Sequence, residues 1–175
     1  MEVRNISKKL LSAIALFLCV PFLGYGQEAL LRVTTVSSGN VAGRGQHTYL
    51  LVHDDGEVQF ADEKMDGGKL IYFSRRSKIS DDQLSELRSF LISSDVRGLG
   101  PKFEPLYGPL DHRIEIRISI ESGTVKKEIV AINFEPEHPR ASTAYPPALI
   151  DLMCKIERYR KMSSFLLLNL GSVCD

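Results

Sequence analysis

What this sequence lacks narrows its function before any motif is considered. Basic and acidic side chains balance at 22 each, and no block of five or six like charges occurs. The electropositive footprint of a nucleic-acid or anionic-membrane binder is missing, so no polynucleotide partner is expected. The longest apolar run covers residues 10–23, 14 residues in all, whereas a helix needs about 20 to cross a bilayer core. Histidine is scarce, and His47, His53, His112 and His138 include no pair four apart that would aim two imidazoles at one zinc from a helix. No Gly-x-Ser-x-Gly elbow appears. Three cysteines in 175 residues do not describe a disulfide-built scaffold, and a domain of this size buries a core without them.

What is present begins with an address. Arg4, Lys8 and Lys9 precede the apolar run, and Gly24-Tyr25-Gly26 supplies a small-residue exit. Residues 1–26 therefore read as a secretory signal peptide, with the mature chain starting at Gln27 and no membrane span left after cleavage. Cys19 follows Leu18 inside the apolar run, which argues against a lipid-modified cysteine. Export, to a periplasm or beyond the cell, leaves Cys154 and Cys174 in a compartment where a disulfide persists.

Residues 27–175, with 43% hydrophobic and 8% aromatic side chains in the whole chain, read as one globular domain closed by an apolar tail at residues 165–170. Residues 28–37 form a first strand, followed by a glycine-rich connection over 38–46. Residues 47–53 and 57–61 flank Asp54-Asp55-Gly56. A two-residue loop there would set Asp54 against Glu57, so a three-residue loop with Gly56 left-handed is expected, placing His53 opposite Glu57, Val52 opposite Val58 and Leu50 opposite Phe60. Residues 62–69 read as a loop and 70–73 as a short strand. Ser80-Asp81-Asp82-Gln83 has the form of a capping box, and Leu84, Leu87 and Leu91 then make one buried helical stripe that stops at Gly98-Leu99-Gly100-Pro101.

Ile114, Ile116, Ile118 and Ile120 alternate with Arg113, Glu115, Arg117, Ser119 and Glu121, the pattern of a strand with one buried and one wet face. Ser122-Gly123 turns the chain, residues 124–134 return, and a second helix with Pro147 in its first turn buries Leu149, Leu152, Met153 and Ile156. The expected fold is α+β, a single antiparallel sheet of about five strands with two helices packed on one face.

Chemistry is sparse. His53 among Asp54, Asp55 and Glu57 reads as a solvated turn, and Asp111-His112 as a polar strand entrance without a marked nucleophile. Asp62, Asp66 and Gly67 mimic part of a calcium loop, but Lys64 and Phe73 stand where oxygen ligands are needed. Gly67-Gly68-Lys69 is followed by Leu70 where a phosphate loop needs a hydroxyl. Arg75-Arg76 with Lys78 reads as a solvated strand end. No catalytic residue, metal or cofactor is assigned. Over residues 30–162 the organisation, an Asp-Gly hairpin, a capped helix, an alternating hairpin and a closing helix, resembles uncharacterised domains of unknown function in secreted bacterial proteins. The resemblance implies fold and export, and no functional residue.

Two functions remain open. The first is a non-catalytic secreted or periplasmic domain that binds a protein, peptide or envelope component. The other is a hydrolase or protease-inhibitor-like module, which requires polar groups such as His53, Asp55, Asp111 and His112 to converge on a pocket. Spacing sets two local expectations. Cys154 lies about 140° round its helix from Leu149, and residues 163–174 reach up to about 36 Å against the roughly 14 Å required, so a Cys154 to Cys174 disulfide is expected. With Glu121 paired to Thr124, an uninterrupted return strand would set Val130 opposite Glu115 and Ile132 opposite Arg113, on the wet face. A β-bulge between Lys126 and Ile129 would return Val130, Ile132 and Phe134 to the core, and it marks Arg117, Lys127 and Glu128 as the candidate interaction surface.

Overall fold

The computed structural model describes residues 29–39, 45–66, 69–105, 112–137, 144–160 and 174. The expected signal peptide, most of the glycine-rich connection and the apolar tail lie outside the described residues. The fold is α+β and built on one sheet. Strands β1 (Ala29–Gly39), β2 (Gly45–His53), β3 (Glu57–Asp66) and β4 (Lys69–Lys78) come first, followed by helices α1 (Asp81–Leu91) and α2 (Ser94–Gly98). Then come β5 (Lys102–Phe103), β6 (His112–Ser122), β7 (Val125–Ile132) and helix α3 (Pro147–Arg160). The sheet has seven strands in the order β4-β3-β2-β1-β6-β7-β5, not about five. All pairings are antiparallel except the two-residue contact of β5 with β7.

Alternation puts one side of each strand into the core. Leu31, Val33 and Thr35 of β1 lie opposite Ile120, Ile118 and Ile116 of β6, and Val52 and Leu50 of β2 continue the same rows to Val58 and Phe60 of β3. All these side chains are buried. The β1–β2 ladder shifts register between Ala29 and Leu31 and again between Val33 and Thr34. Each irregularity coincides with two consecutive buried residues, Leu30-Leu31 and Tyr49-Leu50, which a regular strand would send to opposite faces.

The β2–β3 turn has the expected three-residue form. The Gly56 N–H donates to the His53 carbonyl at 3.0 Å, Gly56 adopts φ +82°, and Leu50 and Val52 face Phe60 and Val58. Gly56 also anchors the approach to α1, because its carbonyl accepts from the Ile79 N–H at 3.0 Å. Arg88 of α1 reaches back to the Asp54 carbonyl at 2.6 Å. The segment expected as a loop over residues 62–69 is instead mostly strand, since β3 and β4 pair continuously from Glu57↔Lys78 to Asp66↔Lys69. Gly67-Gly68 between two runs is itself a two-residue hairpin signal, and the polar residues around it obscured the strands.

Helix α1 starts at the capping box: the Gln83 N–H donates to Ser80 Oγ at 3.2 Å, and the Ser80 N–H donates to Gln83 Oε1 at 3.0 Å. Leu84, Leu87 and Leu91 are its buried residues. The helix breaks at Ile92, earlier than the glycines suggest, because the Ser93 hydroxyl caps a new helix by accepting from the Val96 N–H at 3.3 Å. Leu149, Leu152, Met153 and Ile156 of α3 are fully buried and join one apolar cluster with the α1 leucines and the strand residues above.

The expected β-bulge between Lys126 and Ile129 is absent. The β6–β7 ladder runs without interruption from Ser122↔Val125 to Glu115↔Ile132. Gly123 takes a left-handed φ of +59°, so the loop is Gly123-Thr124 rather than Ser122-Gly123, and every partner moves by two residues, which leaves each side chain on the same face. Ile129 and Ala131 fall opposite Ile118 and Ile116 and fill the core, while Val130 and Ile132 stay on the other face, opposite Arg117 and Glu115. Ile132 is buried there all the same, so no bulge is needed to remove it from water. The break in period is absorbed at the strand's end, where Asn133 adopts φ +45° and Phe134 returns to the apolar cluster. Tyr145 closes this end, its hydroxyl shared between the carbonyls of Ile132 and Asn133 at 3.0 and 2.8 Å and its ring 4.7 Å from Phe134.

Cys154 of α3 and Cys174 form a disulfide with 5.4 Å between their Cα atoms, and Cys174 packs against the core.

The turn and the disulfide each make a measurable contribution to stability. A Cβ on residue 56 would meet the Ile79 carbonyl oxygen at 3.3 Å in a backbone conformation that disfavours side chains. Gly56→Ala is expected to cost about 2 kcal/mol, most of it from the left-handed backbone, read as a lower urea midpoint. The disulfide closes a loop across a sequence separation of 20, for which loss of chain entropy in the unfolded state stabilises by about 3 kcal/mol. Replacing both cysteines by serine is expected to lower the unfolding free energy by that amount.

Candidate functional site

The alternation that buries the β6 isoleucines leaves Arg113, Glu115, Arg117, Ser119 and Glu121 on the opposite face. Glu115 sits at the centre of a charged row. Its Oε1 accepts from Arg113 Nε at 2.9 Å, and its Oε2 accepts from Arg117 Nη2 at 2.9 Å and Nε at 3.2 Å. Arg113 Nη1 continues the row to Glu104 Oε1 at 2.9 Å, and Glu104 Oε2 pairs with Lys102 Nζ at 2.7 Å. The hydrogen bonds from Arg117 and then Arg113 hold the Glu115 carboxyl below the usual carboxylate value. Glu104 is lowered by Lys102 first, and Arg113 is raised chiefly by Glu115. Arg113, Glu115 and Arg117 all keep part of their surface in solvent, Arg117 most of all at 44%.

Of the residues singled out from the sequence, this face brings together two. Arg117 lies opposite Val130, and Glu128 lies opposite Ser119, in the next row on the same side of the ladder. Arg32 of β1 flanks Ser119 from the other side, so Arg32, Ser119 and Glu128 form one row across three strands. Lys127 does not join them. It pairs with Ile120 on the isoleucine face, where its Nζ donates to the Arg97 carbonyl at the end of α2 at 2.5 Å. The missing bulge is the cause, since in an unbroken ladder Lys127 shares the side of Ile129 and Ala131, and only a bulge would have re-aimed it. Cys154, on α3, is joined to Cys174 and takes no part in this row.

The polar groups considered for catalysis serve the turn. His53 is 8% exposed, with Nε2 3.4 Å from Gln59 Nε2, which in turn donates to Glu57 Oε1 at 2.9 Å. Asp55 Oδ1 accepts from the Glu57 N–H at 2.9 Å, and Asp54 faces Arg88. Asp111 lies outside the described residues, as does the side chain of His112. Among the described residues no group of three histidine, cysteine or acidic side chains is placed to hold a metal ion, and no helix is long and apolar enough to cross a membrane.

Two features escaped the sequence. One is a buried carboxylate: Glu157 of α3 is 4% exposed and accepts from the Tyr49 hydroxyl at 2.5 Å. The other is a groove of about 600 Å³ between α2, the Leu99-Gly100 segment, Phe103 and the first turn of α3. Its walls come from segments distant in sequence, and each reads locally as punctuation, a helix stop or a proline connection. Only their apposition makes a concavity.

The pH dependence has a definite sign. A carboxylate whose folded value is lowered stabilises the fold above its unfolded value and loses that contribution as pH falls through the folded one. Glu115→Gln is therefore expected to lower stability at pH 7 by less than about 1 kcal/mol, the scale of a partly exposed pair. Urea titrations should show the difference from the parent protein shrinking as pH falls from 7 towards 3.

Neither a model of any known protein family nor any curated protein sequence matches this chain.

Proposed function

We propose that this is an exported, non-catalytic binding domain that engages a protein, peptide or envelope component through the polar face of its sheet around Arg117 and Glu128. In this reading both longer helices pack on the isoleucine face and leave the other to the partner. The observation that carries it is the state of Arg117. Its guanidinium is already oriented by two bonds to Glu115, yet it remains 44% exposed. A charged group held in place before contact loses little side-chain freedom on binding, which is how preorganised surfaces gain affinity. Arg32 and Glu128 extend the same face with an exposed cation and an exposed anion.

Export rests on the basic, apolar and small-residue segments of the first 26 residues. Mass spectrometry of the native protein is expected to find Gln27 at its N-terminus, and an intact Met1 in a membrane fraction would overturn export. Binding is tested by affinity capture from the envelope and medium of the producing cells, comparing the parent protein with Arg117→Glu and Glu128→Lys. A component retained by the parent and lost by both variants, with circular dichroism unchanged, supports the sheet face. Identical retention by all three overturns it.

A further inference from the structure

The groove beside α2 shares no residue with the Arg117 and Glu128 surface, and its chemistry points to a different kind of contact. At about 600 Å³ it is of the size that takes a ligand or a few peptide side chains. Leu99, Phe103, Pro146, Pro147 and Ala148 contribute apolar carbon to its walls, and Ser94, Asp95 and Asp151 contribute polar groups, so that polar and apolar surface are about evenly mixed. Both aspartates are exposed, and no lysine or arginine lines the groove. Neither aspartate has an ion-pair partner among the described residues. They belong to separate elements, Asp95 to α2 and Asp151 to α3, so carboxylates flank the apolar lining from two directions.

The geometry points to this groove as the docking site for an extended segment of a partner protein that carries arginine or lysine next to an apolar side chain. A long basic side chain has the two parts that such a surface matches: an aliphatic stem that lies on proline, alanine and aromatic carbon, and a charged head that reaches the water-facing carboxylates. Arginine adds paired donors for a carboxylate. An acidic segment meets repulsion from both aspartates and is refused. Gly98 lines the groove, and a Cβ built there meets nothing within 4 Å. Its backbone does not have a positive φ, so a large side chain at this position crowds the groove wall without straining the helix.

The experiment is amide-resolved NMR titration of the exported protein with two nine-residue peptides, identical except that a central Leu-Arg-Leu in one is Leu-Glu-Leu in the other, and with butylamine. The Arg peptide is expected to shift Gly98, Gly100, Ala148 and Asp151, while the Glu peptide leaves them unmoved. Gly98→Phe should abolish the shifts at unchanged melting temperature. Asp151→Asn should weaken binding by about two- to fivefold, as for an exposed ion pair, with the difference fading at high salt. Should Gly98→Phe fail to fold, Asp95→Asn with Asp151→Asn tests the same point. Equal response to both peptides, no response to the Arg peptide, or butylamine binding as tightly as the Arg peptide would each overturn the proposal. None of these outcomes depends on the sheet-face variants, so the two readings fail separately.

Discussion

The pairing of β1 with β6 is the constraint on which the rest of the molecule depends. It joins the N-terminal strands, β1 to β4, to the C-terminal hairpin, β6 with β7, across the centre of the sheet. Nine residue pairs, from Leu31↔Ile120 to Gly39↔His112, set its register. That register brings Leu31, Val33 and Thr35 to the same face as the isoleucines opposite them, and all of them are buried. Because side chains alternate with period two, the same pairing sends Arg32 to the face of Ser119 and Arg117. The core and the charged row are thus two sides of one alignment, and a slip of one residue would exchange them.

Pairing across such a sequence distance has an entropic cost that local contacts must offset before the strands meet. The local structure is well placed for this. The Gly56 turn, its bond to Ile79 and the reach of Arg88 to Asp54 hold the β2–β3 turn against the start of α1. At the other end Asn133 and Tyr145 finish β7 with bonds to Ile114 and to the strand's last carbonyls. Both ends rely on a residue with positive φ, one a glycine and the other an asparagine, the two types that adopt it most readily.

How much of this was legible depended on whether the deciding interaction was local. Asp54-Asp55-Gly56, the Ser80 cap and the isoleucine alternation carry their geometry within a few residues, and each element stands where the sequence puts it. The β6–β7 loop was a choice between neighbouring residues, and moving it by one position shifts partners by two and leaves the faces unchanged. The imagined bulge came from assigning Val130 and Ile132 to the isoleucine face, whereas Ile132 is buried on the other one, and without the bulge Lys127 stays beside the isoleucines. β5 is two residues long and exists only through its bonds to β7, so no pattern in Lys102-Phe103 announces it. The groove has the same origin, since Phe103, Asp95 and Asp151 acquire meaning only once α2 and α3 are neighbours.

The bond between Tyr49 and Glu157 connects residues 108 positions apart and lies in the interior, where a carboxylate is costly unless donors reach it. Tyr49 sits at a register irregularity of β2, the place where a strand most easily settles one residue out of step. In a slipped strand the tyrosine would turn away from α3, and Glu157 would lose a hydrogen-bond donor in a low-dielectric setting. An apolar side chain at residue 157 would accept either alignment. The buried acid therefore ties the docking of α3 to the register of β2, since the two are joined by a hydrogen bond whose loss in the interior is costly.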